Sequence, residues 1–305
     1  MEKGEGVAFA KKYEVKIFPT LLYFNPQGKM VHKTVGATPA KILLKRGANA
    51  LSSETQLYAL KLKYQKGERG QAFLKNYVDA LFYALEDCSI PADIYLNKVG
   101  RANWTKPEHW NFIKTYVLNS FSEAFRYVFK NQDKFSKIES KENIKKYISN
   151  VLLLDKERVV QSKDETKLKA FSHKLKQIFE AKADKHVAEV EYMFYANNKG
   201  KALQYACKYF DNYCDNAYEF NGVAWNYYQK YNDKQHLEKA LEWVKRSIKL
   251  MKKPFNTDTQ AHILFKMKRY KEAKKVAEES IALAKKVKQD ASETEKLLAK
   301  INAQL

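Results

Sequence analysis

Three pairs of residues in the last hundred positions recur at one interval. Ala240 and Ala273, Trp243 and Val276, and Ser247 and Ser280 are each 33 residues apart. In the first segment Glu238-Lys239-Ala240-Leu241 leads into Trp243, Val244, Ser247 and Ile248. In the second Lys271-Glu272-Ala273-Lys274 leads into Val276, Ala277, Ser280 and Ile281. Apolar and small residues spaced three and four apart make one face of a helix. A period of this length marks a helix–turn–helix unit, which buries its apolar face by stacking on the next. Ala240, Ser247, Ala273 and Ala277 are short enough to let helices approach closely. Trp225, Tyr228, Trp243 and Leu264 are large enough to fill the space between units. Pro254 falls where the first unit ends. A degenerate earlier unit opens at Gly200-Lys201-Ala202-Leu203, 38 residues before Glu238 to Leu241.

The rest of the chain is equally poor in breakers. Ten Gly and six Pro in 305 residues cannot supply the turns of an all-β sandwich, a collagen-like chain or a Gly/Ser-rich disordered chain. Long helices are expected at 53–66, 71–85, 106–117, 121–129, 142–154, 164–181 and 184–197, with another segment opening at Ile90-Pro91-Ala92-Asp93. With 45% hydrophobic residues, including 20 Tyr and 17 Phe, there is ample material for a core.

The first fifty residues read differently. A short helical pattern over Gly6 to Tyr13 carries Val7, Phe9 and Ala10. Leu21 to Phe24 is an apolar strand, Asn25-Pro26-Gln27-Gly28 is a turn, and Lys29 to Val35 alternates with a period of two. Thr38 is an expected N-cap and Pro39 the first residue of a helix to Leu51. The string from Ala10 to Phe24 (AKKYEVKIFPTLLYF), the Gly28 turn and Val35-Gly36-Ala37 resemble the C-terminal half of a thioredoxin-like domain, over about one sixth of the chain. The resemblance implies a cis Phe18–Pro19 bond and a substrate-binding set, Phe18, Pro19 and Thr20, whose backbone pairs with an extended segment. Gly28 and Gly36 would be structural.

The family's first half, with the Cys-x-x-Cys at a helix N-terminus, is absent. Exchange needs an attacking thiolate and a resolving thiol, and Cys88, Cys207 and Cys214 contain no C-x-x-C. No catalytic residue is expected in this chain. The full-length form would be a thiol–disulfide oxidoreductase, and Met1 reads as an internal methionine. Cys207 and Cys214 are expected in one helix, about 10.5 Å apart along it, too far for a disulfide.

The 33-residue unit, with Tyr270 opening its second helix, is similar to the tetratricopeptide repeat, and its Trp225, Ala240, Trp243 and Ala273 are structural. The order of a thioredoxin-like end and a helical tail resembles a group of bacterial, chiefly Bacteroidetes, thioredoxin-family proteins. These are exported to the periplasm. This chain shows no signal and would be cytoplasmic if Met1 is the true start. The expected architecture is therefore mainly α: an incomplete thioredoxin-like α/β half-domain over residues 1–51, a helical region over 52–197 and tetratricopeptide-like repeats in a superhelix over 198–305.

The net charge is +21, but only seven of 56 basic residues are Arg and the 49 Lys are spread along the chain. Lys is the weaker residue for bidentate phosphate or base contacts, so a solvated helix surface is expected and nucleic-acid binding is the alternative. The six His show no metal spacing, so no metal and no small-molecule cofactor are expected. No apolar run reaches the 18 or so residues of a membrane span. The expected function is a helical scaffold for protein or peptide partners, with a purely structural assembly platform as the other alternative.

Overall fold

A computed structural model describes residues 5–15 and 17–305. The start of the chain and Lys16 of the string quoted above lie outside these. The protein is mainly helical with one small sheet, and it divides into two compact units, residues 1–162 and 163–305. None of its helices is long and apolar enough to cross a membrane, among the described residues.

The first unit runs α1 (Glu5–Lys12), β1 (Thr20–Phe24), β2 (Met30–Val35), α2 (Ala40–Asn49), α3 (Leu57–Gln65), α4 (Gln71–Tyr83), α5 (Ser89–Val99), α6 (Pro107–Tyr116), α7 (Glu123–Lys130), α8 (Gln132–Phe135) and α9 (Lys141–Ser162). β1 and β2 form an antiparallel hairpin in which Thr20 faces Val35, Leu22 faces Lys33 and Tyr23 faces His32, with a register shift at Phe24. The turn needs Gly28 at φ +73°, a region costly for residues with a Cβ. β2 packs on α3 and α4. Its inward His32 and Thr34 are buried, and His32 Nδ1 accepts the Leu57 amide at 3.0 Å. Further along, Trp104, Phe125 and Phe135 are fully buried, and the Trp104 indole donates to the Leu96 carbonyl.

Several helix ends differ from the sequence expectation for local reasons. α3 starts at Leu57 rather than Ser53, because the Thr55 and Gln56 side chains turn back to the Asn49 and Ala50 carbonyls at the end of α2. α2 has Pro39 at its N-cap with no side-chain cap, so Thr38 does not cap it. α9 continues eight residues past Leu154, where buried Asp155 accepts the Ser120 amide and Val159 is buried.

The second unit is α10 (Glu165–Phe179), α11 (Ala183–Tyr195), α12 (Ala202–Asn212), α13 (Ala217–Lys230), α14 (Lys234–Leu250), α15 (Pro254–Lys266), α16 (Tyr270–Lys286) and α17 (Ser292–Asn302). Asp164, Asn216 and Asp233 cap three of these through their side chains. α13 pairs with α14 and α15 with α16, while the first helices α13, α15 and α17 also touch in succession. α12 ends at Asn212, so Cys214 lies in the following loop and not on one helix with Cys207.

Candidate functional site

Two places gather the residues singled out above, one in each unit. In the first unit the Phe18–Pro19 bond is cis, as the resemblance implied. Phe18 and Pro19 are exposed and Thr20 is half-buried, its hydroxyl donating to the Ile17 carbonyl at 2.6 Å. Gly36, at φ +92°, donates its amide to the Pro19 carbonyl at 2.8 Å. Pro19 has no N–H to return, and the freed Gly36 carbonyl accepts Arg46 Nη1 at 2.9 Å. Arg46 is buried and its guanidinium lies 5.0 Å from the Tyr83 ring centre. Arg46 ties α2 to the hairpin. The sequence reading passed over it because a lone Arg on a Lys-rich helix carries no signal of burial.

Hydrogen-bonded and non-hydrogen-bonded pairs alternate along an antiparallel ladder. The Gly36–Pro19 bond therefore sets Leu21 and Tyr23 to face β2 with their main-chain groups, and Thr20 and Leu22 to face away. No other strand among the described residues pairs with that outer edge. A cavity of about 210 Å3 lies beside it, lined by Tyr13, Val15, Ile17, Thr20, Val35 and Leu85.

A second cavity of about 400 Å3 in the same unit is lined by Phe82, Glu86, Cys88, Tyr116 and Arg158 among others. Burial pushes the Cys88 thiol up to about 11. Tyr116 donates to Asp79 at 2.7 Å, and burial followed by that bond raises its phenol too. Cys207 and Cys214 are likewise raised, chiefly by burial. All three cysteines are free thiols, and a raised pKa suppresses the thiolate that nucleophilic chemistry needs. Among the described residues no group of three or more His, Cys, Asp or Glu is arranged to hold a metal ion.

In the second unit Ala240, Trp243 and Ala273 are fully buried, and Trp243 also donates to Asp211 at 2.9 Å. Trp225 is only half-buried. Its ring centre lies 4.9 Å from Tyr228 and 5.4 Å from His262, while Tyr218 stacks on Phe255 at 5.2 Å. Tyr228 and His262 share a hydrogen bond at 3.3 Å, and Thr294 on α17 donates to Asp258 on α15 at 2.6 Å. The pairs Tyr218/Phe255 and Trp225/His262 are each 37 apart, not 33. This second interval lies on the first helices of the hairpins and escaped the sequence reading. The 33-residue interval is confined to second helices, because Ser247 sits further into α14 than Ser280 does into α16.

The two serines make matching hydrogen bonds. Ser247 Oγ donates to the carbonyl of Ala217, first residue of α13, at 2.7 Å, and Ser280 Oγ to that of Pro254, first residue of α15, at 3.1 Å. Comparison with known proteins finds no matching family model, curated protein or solved structure.

Proposed function

We propose that this chain is a scaffold that binds protein or peptide segments through its second unit, attached to a thioredoxin-like half-domain. The full-length form of that half-domain would be a thiol–disulfide oxidoreductase. The observation that carries the binding role is the row of ring contacts between the adjacent first helices α13 and α15: Tyr218 with Phe255, then Trp225 and Tyr228 with His262. Half-exposed aromatic residues are efficient anchors for a partner, since each presents a large area at little entropic cost. What supports the half-domain is the order α1, hairpin, α2 together with the exposed Phe18 and Pro19 before β1.

The test is selection from a displayed peptide library followed by titration of the dye-labelled peptides by fluorescence anisotropy, a readout that does not depend on Trp225. Enriched peptides should bind the wild type and lose about 2 kcal/mol, roughly 30-fold in Kd, on Trp225→Ala with Tyr228→Ala. A far-ultraviolet circular dichroism spectrum checks that the double variant keeps its helices. Peptides that bind the double variant as tightly as the wild type would refute the assignment.

A further inference from the structure

A carboxylate without a counter-ion lies in the row of rings on the second unit. Asp258 of α15 follows Phe255 by three residues and precedes His262 by four, so helical spacing puts the three on one face. One of its oxygens accepts the Thr294 hydroxyl of α17 at 2.6 Å. The nearest nitrogen of His262, Nε2, is 3.7 Å away. Burial holds that imidazole below its ordinary value of 6.5, against the upward pull of Asp258, so it is neutral at neutral pH. No Lys or Arg among the described residues comes within ion-pair reach of Asp258. Asp211 and Glu191, carboxylates of similar exposure in the same unit, each have one: Lys239 at 2.7 Å and Lys208 at 2.5 Å. The omission at Asp258 occurs in a chain with 56 basic against 35 acidic residues, and a partly buried charge left unpaired costs stability.

The surroundings of that carboxylate select what pairs with it. Tyr218 stacks on Phe255 to one side, and Trp225 and Tyr228 meet His262 on the other. Ring faces attract organic cations, most strongly where water is partly excluded. Asn221 holds the place on α13, between Tyr218 and Trp225, that Asp258 holds on α15, and its side-chain oxygen is buried without a hydrogen-bond partner. Each of these two groups thus has an oxygen that lacks a donor. The row already takes one cation of its own chain: the Lys266 ammonium donates to the Tyr228 carbonyl and lies 5.0 Å from that ring centre. Around His262 the charges of α17 offset each other, Lys300 against Glu293. Surface lysines further off are screened over about 8 Å at physiological salt. We infer that Asp258 is the seat for a basic side chain, arginine or lysine, of the segment that the second unit binds. This rests on the reading of that unit as a peptide-binding scaffold. In the bound state the cationic head lies between the Tyr218–Phe255 stack and Trp225, and it donates to the Asp258 oxygen that Thr294 leaves free.

The probes are dye-labelled peptides enriched on the full wild-type chain. Each is compared with copies in which one basic residue at a time is made neutral, arginine as citrulline and lysine as acetyl-lysine. One such replacement should weaken binding about tenfold. Asp258→Asn, which keeps an oxygen for Thr294, should weaken the unaltered peptide to the same extent. The two losses should not add, because either change removes the same pair. Peptides that bind Asp258→Asn as tightly as the wild type, or that tolerate neutralisation of every basic residue, would overturn the seat and leave the scaffold reading standing. If no peptide is enriched, the scaffold reading falls, and the seat is decided with N-acetylarginine amide and N-acetylcitrulline amide at millimolar concentration. A shift of the Trp225 indole N–H resonance by the arginine compound alone supports the seat. Equal shifts with both, or none with either, sink it.

Discussion

Helix α2 and helix α14 are both amphipathic in sequence, yet they end up in opposite situations. α14 buries Leu237, Ala240, Leu241, Trp243, Val244 and Ser247 against α13 and α15. α2 leaves Ile42, Leu43 and Leu44 in water and is fixed through Arg46. The difference is one of neighbours. The α13–α14 hairpin is followed by the α15–α16 hairpin, and that one by the single helix α17, so the apolar face of the sequence is matched inside the unit. The hairpin has α3 and α4 against β2, while β1 is met by the rings of Phe9 and Tyr13 at Phe24. An apolar pattern thus says that a face will be covered, and the source of the cover is set by what the chain places beside it.

The contrast is broken most severely at Trp243. This side chain is fully buried, packs edge-on against Tyr227 at 5.1 Å and hydrogen-bonds Asp211. Trp243→Ala removes the packing, leaves a cavity and strands a partly buried carboxylate that keeps Lys239 as its partner. A loss of about 3–5 kcal/mol is expected from such truncations, read from the urea midpoint of the helical signal. Leu44→Ala, at 75% exposure, should change stability by less than about 0.5 kcal/mol. Equal effects at the two sites would remove the distinction between covered and bare faces.

His32 tests how the hairpin holds to its own helices. Its ring accepts the Leu57 amide, so the neutral tautomer is the one that docks. Burial holds the imidazole below its ordinary value of 6.5, against a smaller upward pull from Asp79. The folded state therefore takes up its proton later than the unfolded state as pH falls. Stability from this group is complete above about pH 6.5 and declines as pH drops from there through the lowered folded value. His32→Ala leaves the Leu57 N–H without a partner and should cost about 1–3 kcal/mol. His32→Gln offers a carbonyl to the same amide and removes the titration. Hydrogen-exchange protection at Leu57, corrected for intrinsic rate, should fall with acid in the wild type and stay flat in His32→Gln. An acid response of equal size in both would show that His32 does not govern the docking.

The helical character was legible because it rests on local facts. Few breakers and apolar residues at three- and four-residue spacing each act within one or two turns, whereas the expected cap Thr38 does not cap α2 and the side chains that do cap helices, Ser122, Asp164 and Asn216, were passed over. The hairpin was legible too, since its turn needs Gly28 and its strands alternate. What the residues did not announce were contacts between distant segments. Arg46 takes the Gly36 carbonyl where Pro19, just before β1, lacks an N–H to offer it. The 37-residue interval of Tyr218/Phe255 and Trp225/His262 was hidden because aromatic residues read as core in any helix. The turn before α3 was missed because Thr55 and Gln56 serve the end of the preceding helix.

The finest test lies inside the second unit, between its two equivalent serines. Ser247 is fully buried and joins three segments: it donates to the Ala217 carbonyl and accepts from the Asn256 side chain at 2.9 Å. Asn256 also donates to the Met251 carbonyl and accepts the Lys253 amide. Ser247 thus lies at the junction where the α13–α14 hairpin meets α15. Ser280 donates to the Pro254 carbonyl within its own hairpin. Removing either hydroxyl takes one donor from a first-helix carbonyl, and Pro254 keeps the Thr257 hydroxyl as a partner at 3.1 Å, but Ser247→Ala also leaves an Asn256 N–H without that acceptor in a buried site. With net values near 1 kcal/mol for an ordinary hydrogen bond and 1–3 kcal/mol for a buried group left unsatisfied, Ser247→Ala should cost about 2 kcal/mol and Ser280→Ala about 1 kcal/mol. Paired urea titrations resolve that gap. If Ser280→Ala costs as much or more, the bond to the first-helix carbonyl is the whole contribution of each serine and the link through Asn256 adds nothing to the stacking of one hairpin on the next.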